Sequence, residues 1–564
     1  MDRRVFTTIL VCLAILIAWQ SLGPRIFPHW FPEVPDADEV MEEVLPEAPD
    51  PEPEPVDPLP EVAEDVPTPR PEQIHVLENE KVRAELTTMG AALRSWILKE
   101  ERFTRTLDGE EQQVDLVFAD PRDPLPLATT FEELEWPTDA SYEVVEKTDD
   151  TVAFRAAAGG VTVDKVFHLP AGQYHIALSI RLSDAGAGPV EVTPRVHMTR
   201  TVHEDLRARR GLLNFAIPDL IRPACVVTGD IVRHAHTSEH PSIDLPGEAS
   251  WAGIDERYFL MSLFEGVPDF EPGEPSRHGA SCTLVAPEEH RYDAQLVLEP
   301  TRLATDDAKS FRMTAFLGPK FKSELDRYGN DLSEAVDFGI LTVLALLLLW
   351  VMVFFEGLVS NWGLAIILLT FTVKLVLYPL TDWSMRSMER MRAIQPKMNA
   401  LKEKLGKDKE KFQIEMMKLY REEKVNPFGG CLPLLLQLPI WIALYRTILS
   451  TAELYNAVFI PGWIMDLSSP EPGVIKFLPL AMGVSMYLMQ KMTPQPATVD
   501  EMQARMQRFM LYFMPPFFTL IMYGLPSGLT LYIFTNNVLS IAQQLWIRKR
   551  LEAAREAEAS GKKK

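Results

Sequence analysis

Residues 361–381 read NWGLAIILLTFTVKLVLYPLT, and residues 381–430 that follow carry twelve Lys or Arg, from Arg386 to Lys424. The first stretch is about the length and apolarity of a membrane-crossing helix. The second belongs on the cytoplasmic side, because short loops rich in Lys and Arg are retained there and its eight acids do not offset that bias. A further apolar stretch, 338–355, lies just upstream. If both crossed, the cationic segment would be left outside. Charge therefore assigns 338–355, within a segment 332–357, to the outer membrane interface, against the pull of its run of leucines.

Working outward, the remaining apolar stretches are 431–450, 474–490, 509–525 and 528–547. With the first crossing at 362–380, every loop agrees in charge. Segment 451–473 contains no Lys or Arg, whereas Lys491, Arg505, Arg508 and the tail Arg548-Lys549-Arg550 fall inside. The expected core is 361–547, with a cytoplasmic helical hairpin at 384–425 and a basic cytoplasmic tail at 548–564. In the hairpin, Met398, Leu401 and Leu405 form one apolar edge and Phe412, Met416 and Leu419 the other, with Gly406 between.

At the other end, Arg3 and Arg4 precede an apolar run from Val5 to Trp19 with no small-residue cleavage site after it. Residues 1–22 read as an uncleaved anchor with a cytoplasmic N-terminus, giving six crossings in all. Residues 23–72 form an extended spacer, since 32–72 contain twelve prolines and fifteen acids against the single cation Arg70. Residues 73–325 change character. Val161, Val163, Lys165, Phe167 and Leu169 share one parity, as do Ile176, Leu178, Ile180 and Leu182, and Val82, Ala84 and Leu86. Such alternation between Gly, Pro and Asp breaks predicts antiparallel strands with one buried face, and a chain this long predicts a large β-sandwich outside the cytoplasm.

The 564 residues carry a net charge of −23, which excludes a broad basic face for DNA. All eleven histidines lie at or before His290, so the apolar half has no imidazole base or metal ligand. No phosphate-cradling glycine loop occurs, and no paired acids lie in the apolar stretches. No cofactor and no enzymatic activity are expected. His234, His236 and His240 have metal-like spacing but read as a polar loop, and Cys225 and Cys282 are two thiols outside the cytoplasm whose proximity spacing does not establish. Lys374 is the one ionisable residue well inside an expected span. A buried cation there costs about 2.5–3.5 kcal/mol on insertion scales. It either snorkels toward the interface or faces a wet groove with the neutral polar residues Thr370, Gln437, Asn536, Asn537, Gln543 and Gln544. Ser485 and Ser540 are the serines considered as nucleophiles. Methionines at 482, 486 and 489, and at 502, 506, 510 and 514, form stripes that suit either helix packing or adaptable apolar contacts.

Several separated motifs resemble YidC-type membrane protein insertases of the Gram-negative kind. They are Asn361-Trp362-Gly363, Phe371-Thr372-Val373-Lys374, Tyr378-Pro379-Leu380-Thr381 and Gln395-Pro396-Lys397. The most specific is Asn426-Pro427-Phe428-Gly429-Gly430-Cys431-Leu432-Pro433, running into Gln437-Leu438-Pro439-Ile440-Trp441. Phe513-Met514-Pro515 and Leu525-Pro526-Ser527-Gly528-Leu529 with Tyr532 resemble the last two helices, and Phe316-Leu317-Gly318-Pro319-Lys320 the end of the family's periplasmic domain. The resemblance implies a periplasmic β-supersandwich, an amphipathic helix on the outer interface, and five transmembrane helices around a hydrophilic groove that is closed on the outer side. It implies insertion and folding of nascent inner-membrane proteins, alone or with the Sec translocon, with lipid contacts and the ribosome met through the hairpin and basic tail. Groove positions carried over are Thr370, Leu438, Trp441 and Tyr532, beside Lys374, Gln437 and Asn536. The family usually has arginine where this chain has Lys374, and often an aromatic where it has Ile533. The rival readings are a secondary transporter and a membrane-tethered periplasmic carbohydrate-modifying enzyme. A transporter would show paired ionisable residues or an internal repeat.

Overall fold

A computed structural model describes residues 71–564 except 132, 135, 159, 185–188, 205–220, 238–239, 267–279, 305–306, 337, 406–408, 424–431, 494–500 and 562–564. The expected anchor, nearly all of the spacer, Gly406 and the Asn426–Cys431 motif lie outside the described residues.

The alternating parity does build strands. Val161, Val163, Lys165 and Phe167 are fully buried along Val161–His168, as are Ile176, Ile180 and Leu182 along His175–Asp184. These strands pair antiparallel at the middle of a nine-stranded sheet. Its spatial order is Asp230–Arg233, Arg222–Val227, Ala249–Asp255, Phe259–Glu265, Ala308–Pro319, His175–Asp184, Val161–His168, Thr151–Ala158 and Glu143–Lys147. A five-stranded sheet, Ser242–Leu245, Ser281–Glu288, Arg291–Val297, Pro194–Thr201 and Thr129–Phe131, packs against it. The two sheets bury their facing sides, which is why the apolar residues recur every second position. Cys225 on the larger sheet and Cys282 on the smaller are joined by a disulfide that staples the two layers. A three-stranded sheet, Ile74–Glu78, Val82–Thr87 and Ala92–Leu98, adds to the same core.

Lys165 breaks the apolar pattern and is nonetheless wholly buried. Its ammonium donates to Leu127 O at 2.6 Å and Gly90 O at 3.2 Å, and lies 5.5 Å from the Phe167 ring centroid. Among the described residues no carboxylate pairs with it, and desolvation lowers its pKa to about 7. In the unfolded chain the lysine titrates near its ordinary value, about 10.4. Below pH 7 both states are protonated and the cost of burying the charge is fully present. From pH 7 upward the unfolded state binds more protons, so stability rises with pH by at most about 1.4 kcal/mol per pH unit. Melting of the β domain should therefore move upward between pH 7 and 9, and Lys165→Met should remove that slope. An equal slope in the variant would assign it to other groups.

After the last strand a short helix, α1 (Lys322–Tyr328), leads to the helical region. α2 (Thr342–Val359) is 18 residues and, by length and composition, apolar enough to cross a membrane. It buries Ala345, Leu348, Leu349 and Met352 against α3 (Trp362–Val376) and a later helix, Leu432–Ser450, and it exposes Val343, Leu347, Trp350 and Leu358. Ser360, in the left-handed region at φ 50°, ends α2. Asn361 starts α3 by accepting from Leu364 N–H at 2.9 Å, which satisfies one of the free amides of the first turn. α3 bends by 58° into α4 (Tyr378–Ala393), and these two can form one broken span.

The charged segment forms the hairpin α5 (Gln395–Leu405) and α6 (Lys409–Glu422). Met391, Ile394 and Met398 pack with Met416, Leu419 and Tyr420, and Lys397 pairs with Glu423 at its open end. Then come α7 (Leu432–Ser450), α8 (Phe477–Met492), α9 (Glu501–Met522) and α10 (Ser527–Gly561). The basic segment 548–561 continues α10 without a break.

The loop between α7 and α8 bolts the helical region to the β domain. Asn456 Nδ2 donates to the carbonyls of Arg102 and Thr104, both at 2.9 Å, and Tyr455 Oη donates to Thr104 O at 2.9 Å. Arg257 Nε donates to Leu449 O at 3.1 Å. A cavity of about 730 Å³ lies at this joint, with Arg102, Arg105, Tyr258, Asn456 and Asp466 in its wall.

Candidate functional site

Three helices bring the polar residues of the apolar half together. α3 contributes Thr370 and Lys374, one turn apart on one face. α7 contributes Gln437, Leu438 and Trp441. α10 contributes Tyr532, Asn536 and Ser540, successive residues at i+4 spacing, and packs directly on α3. Lys374 Nζ donates to Ser540 Oγ at 2.8 Å. Ser540 Oγ in turn donates to Asn536 O at 2.6 Å. Gln437 Nε2 donates to Asn536 Oδ1 at 2.6 Å, linking α7 to the same row. Tyr532, 1% exposed, extends the row by one turn, with its hydroxyl beside the Gln437 side chain.

This is a polar seam with one fixed cation. Lys374 is half-buried, and among the described residues no carboxylate pairs with it. The direction of the hydrogen bonds decides what the lysine and serine can do. A Ser–Lys nucleophile needs the hydroxyl to donate to a neutral amine. Here Ser540 Oγ lies within hydrogen-bond distance of both Lys374 Nζ and Asn536 O, and a charged ammonium leaves the serine proton for the Asn536 carbonyl, the opposite arrangement. The seam brings one cation and neutral polar groups from three helices into one hydrogen-bonded row.

The other candidates divide. Thr370 is buried, with its hydroxyl tied back to Ile366 O at 2.6 Å, so it packs beneath the seam rather than lining it. Leu438 is 47% exposed, and Trp441 packs against the apolar core. Asn537 Nδ2 donates to Ser485 Oγ at 3.2 Å and Gln544 Nε2 to Thr493 Oγ1 at 3.1 Å, so these two bond α10 to α8 and its C-terminal cap. Asn536 and Asn537 thus serve opposite faces of one helix. Ser540 was not recognised as the lysine's partner in the sequence. The usable signal was its i+4 spacing from Asn536, one turn along the face that carries Tyr532.

In the β domain, His234 and His236 face the carbonyls of His240 and Ala286 at 3.1 and 2.7 Å. Among the described residues no group of three or more His, Cys, Asp or Glu side chains could hold a metal ion.

A β-sandwich followed by this helical region matches two family models, the YidC periplasmic domain over residues 74–351 and the 60Kd inner membrane protein over residues 354–555. This is the architecture of a bacterial inner-membrane protein with a periplasmic domain. The membrane protein insertase YidC of Anaeromyxobacter sp. (strain Fw109-5) is 38% identical over 570 residues, covering 98% of each chain. That of Haemophilus influenzae (strain PittEE) is 35% identical over 408 residues, 70% of this chain and 69% of its own. A crystal structure of an active YidC insertase with its first transmembrane domain resolved is 22% identical, covers 85% of this chain and 94% of its own, and has a TM-score of 0.35. The chain belongs to the YidC family of membrane protein insertases. It is an insertase and not an enzyme, and its substrates are nascent membrane proteins.

Proposed function

We propose that insertion runs through the seam of α3, α7 and α10, with Lys374 as the receiving charge. One observation carries this reading: the ammonium is held by a neutral hydroxyl and not by an acid, so its charge stays available to an arriving carboxylate or peptide carbonyl. Moving a polar segment across hydrocarbon is costly because nothing there satisfies its hydrogen bonds. A seam of Lys374, Ser540, Asn536 and Gln437 supplies partners partway across and shortens the apolar distance. The following apolar segment then leaves sideways into lipid, where its burial drives the step without a nucleotide.

The topology that fits is the one given by loop charge. The N-terminal anchor and five core spans cross the membrane, α2 lies on the outer interface, and both termini and the α5–α6 hairpin are cytoplasmic. The apolar exposed side of α2 suits contact with lipid. The hairpin and the basic end of α10 meet the ribosome, and the chain works alone or together with the Sec translocon. Leu438 and Trp441 act at the edge of the seam as apolar contacts for the departing segment.

The test is insertion of a single-span substrate with a short acidic tail into vesicles. A chain lacking residues 80–300 should still insert it. Loss of insertion on that deletion, in a chain that still accumulates in the membrane, would shift the essential work to the β domain and end this reading.

A further inference from the structure

A second feature of the helical region lies outside the seam. α8 and α9 run antiparallel and leave between them a slot of about 510 Å³ that opens to the outside of the helical region. Its floor is Gly483, where a side chain would meet Thr519 Oγ1 at 2.0 Å. Its walls are apolar, including Val484 and Leu520, which are 61% and 52% exposed. Thr519 adds no polarity, because its hydroxyl donates to Pro515 O at 2.8 Å.

At one end the rings of Tyr487 and Tyr512 face each other, with centroids 6.2 Å apart. Lys491 follows Tyr487 by one helical turn and Arg508 precedes Tyr512 by one turn. The antiparallel register that sets Gly483 beside Thr519 and Tyr487 beside Tyr512, carried one turn further, sets Lys491 opposite Arg508. Lys491 Nζ also lies 5.9 Å from the Tyr487 centroid. Both cations are exposed, and neither pairs with a carboxylate among the described residues. The slot's other end also has a lysine, but Lys476 Nζ is engaged, donating to Tyr523 O at 2.6 Å.

From these observations we infer that the α8–α9 slot is a binding site for an anionic phospholipid of the cytoplasmic leaflet. Its phosphate is held by Lys491 and Arg508, and one acyl chain lies over Gly483. The dimensions agree. Lys491 back to Leu480 is eleven residues, about 16 Å of helix, and one leaflet contributes about 15 Å of hydrocarbon. Two exposed cations without a carboxylate partner among the described residues, next to an aromatic pair and an apolar slot, complement a negative headgroup on an acyl chain. An apolar substrate helix would make no use of the cations.

The inference rests on the topology proposed above, which places Lys491 and Arg508 on the cytoplasmic side. Proteolysis of the 494–500 segment in inside-out vesicles tests that orientation separately. The site itself is tested by native mass spectrometry of the purified full chain, using phosphatidylglycerol and phosphatidylcholine with the same acyl chains. Phosphatidylglycerol should be retained preferentially. Replacing both cations, Lys491→Gln with Arg508→Gln, should weaken retention about thirtyfold, at about fivefold for each basic residue. Val484→Trp, which fills the slot and leaves the charges, should also lose the lipid. Retention by Val484→Trp would reduce the effect to surface charge and overturn the site. Equal retention of phosphatidylcholine would overturn the headgroup assignment. A Val484→Trp variant that loses substrate insertion but keeps phosphatidylglycerol would assign the slot to the substrate instead.

Discussion

Lys374→Ala should lower insertion of a single-span substrate with an acidic tail by about ten- to a hundredfold while the protein still accumulates in the membrane. The range follows from a charge-assisted hydrogen bond worth about 1.5–3 kcal/mol, at about 1.4 kcal/mol per factor of ten. Removing the lysine frees Ser540 Oγ of its donor but leaves that hydroxyl bonded to Asn536 O, so folding should be little affected. Lys374→Arg should keep most of the activity, since it keeps the charge, with some change because a planar fork must find room beside Ser540. A substrate whose tail acids are replaced by amides should be much less sensitive to Lys374→Ala. Quantitative reconstitution into vesicles reads all three. Normal insertion by Lys374→Ala would mean that the ammonium merely reaches toward the interface.

Gly363→Leu should abolish accumulation of the folded protein or cut it severely. A Cβ added at Gly363 would stand 2.0 Å from Cδ2 of Phe459 and 2.3 Å from its Cγ. Ring rotation alone does not relieve the contact, because Phe459 Cβ would itself stand 2.8 Å away, and the Phe459 backbone is held by Asn361 Nδ2, which donates to its carbonyl at 3.1 Å. Asn361 also caps α3, so one small region fixes both the start of the helix that carries Lys374 and the loop that meets the β domain. Overpacking of a tight core contact typically costs about 1–3 kcal/mol, and this contact is tighter than most. Gly363→Ala should be milder in the same direction. The measurement is the fraction surviving heat treatment in detergent, and unchanged survival of Gly363→Leu would show that the loop yields without loss.

Much of the fold was legible because it depends on local periodicity. Val161 to Leu169 alternates, and its odd-numbered positions are the buried ones. Lys165 obeys the parity and violates the chemistry, which no window of sequence explains, because its partners Gly90 and Leu127 come from other parts of the chain. The same holds for Cys225 and Cys282. Each thiol was visible, but their meeting depends on how two sheets stack. In the helical region the intramembrane lysine was conspicuous by its cost, whereas its partner lies 166 residues away on α10. Thr370 and Leu438, carried over by resemblance, take no part in the hydrogen bonds of the seam, Thr370 being buried and tied back to Ile366 O and Leu438 half-exposed. Composition marks them as span residues but cannot fix the rotation of a helix that is apolar on most sides.

The joint at Asn456 and Tyr455 has a consequence for how this chain tolerates change. Three of its four hydrogen bonds end on main-chain oxygens of Arg102 and Thr104, which every amino acid possesses, and the fourth, at 3.3 Å, ends on Thr104 Oγ1. Side chains at those two places can therefore be exchanged at the cost of one long hydrogen bond, without unfastening the joint. A shift in backbone path, from a proline or a one-residue insertion, is what would disconnect the two halves of the molecule.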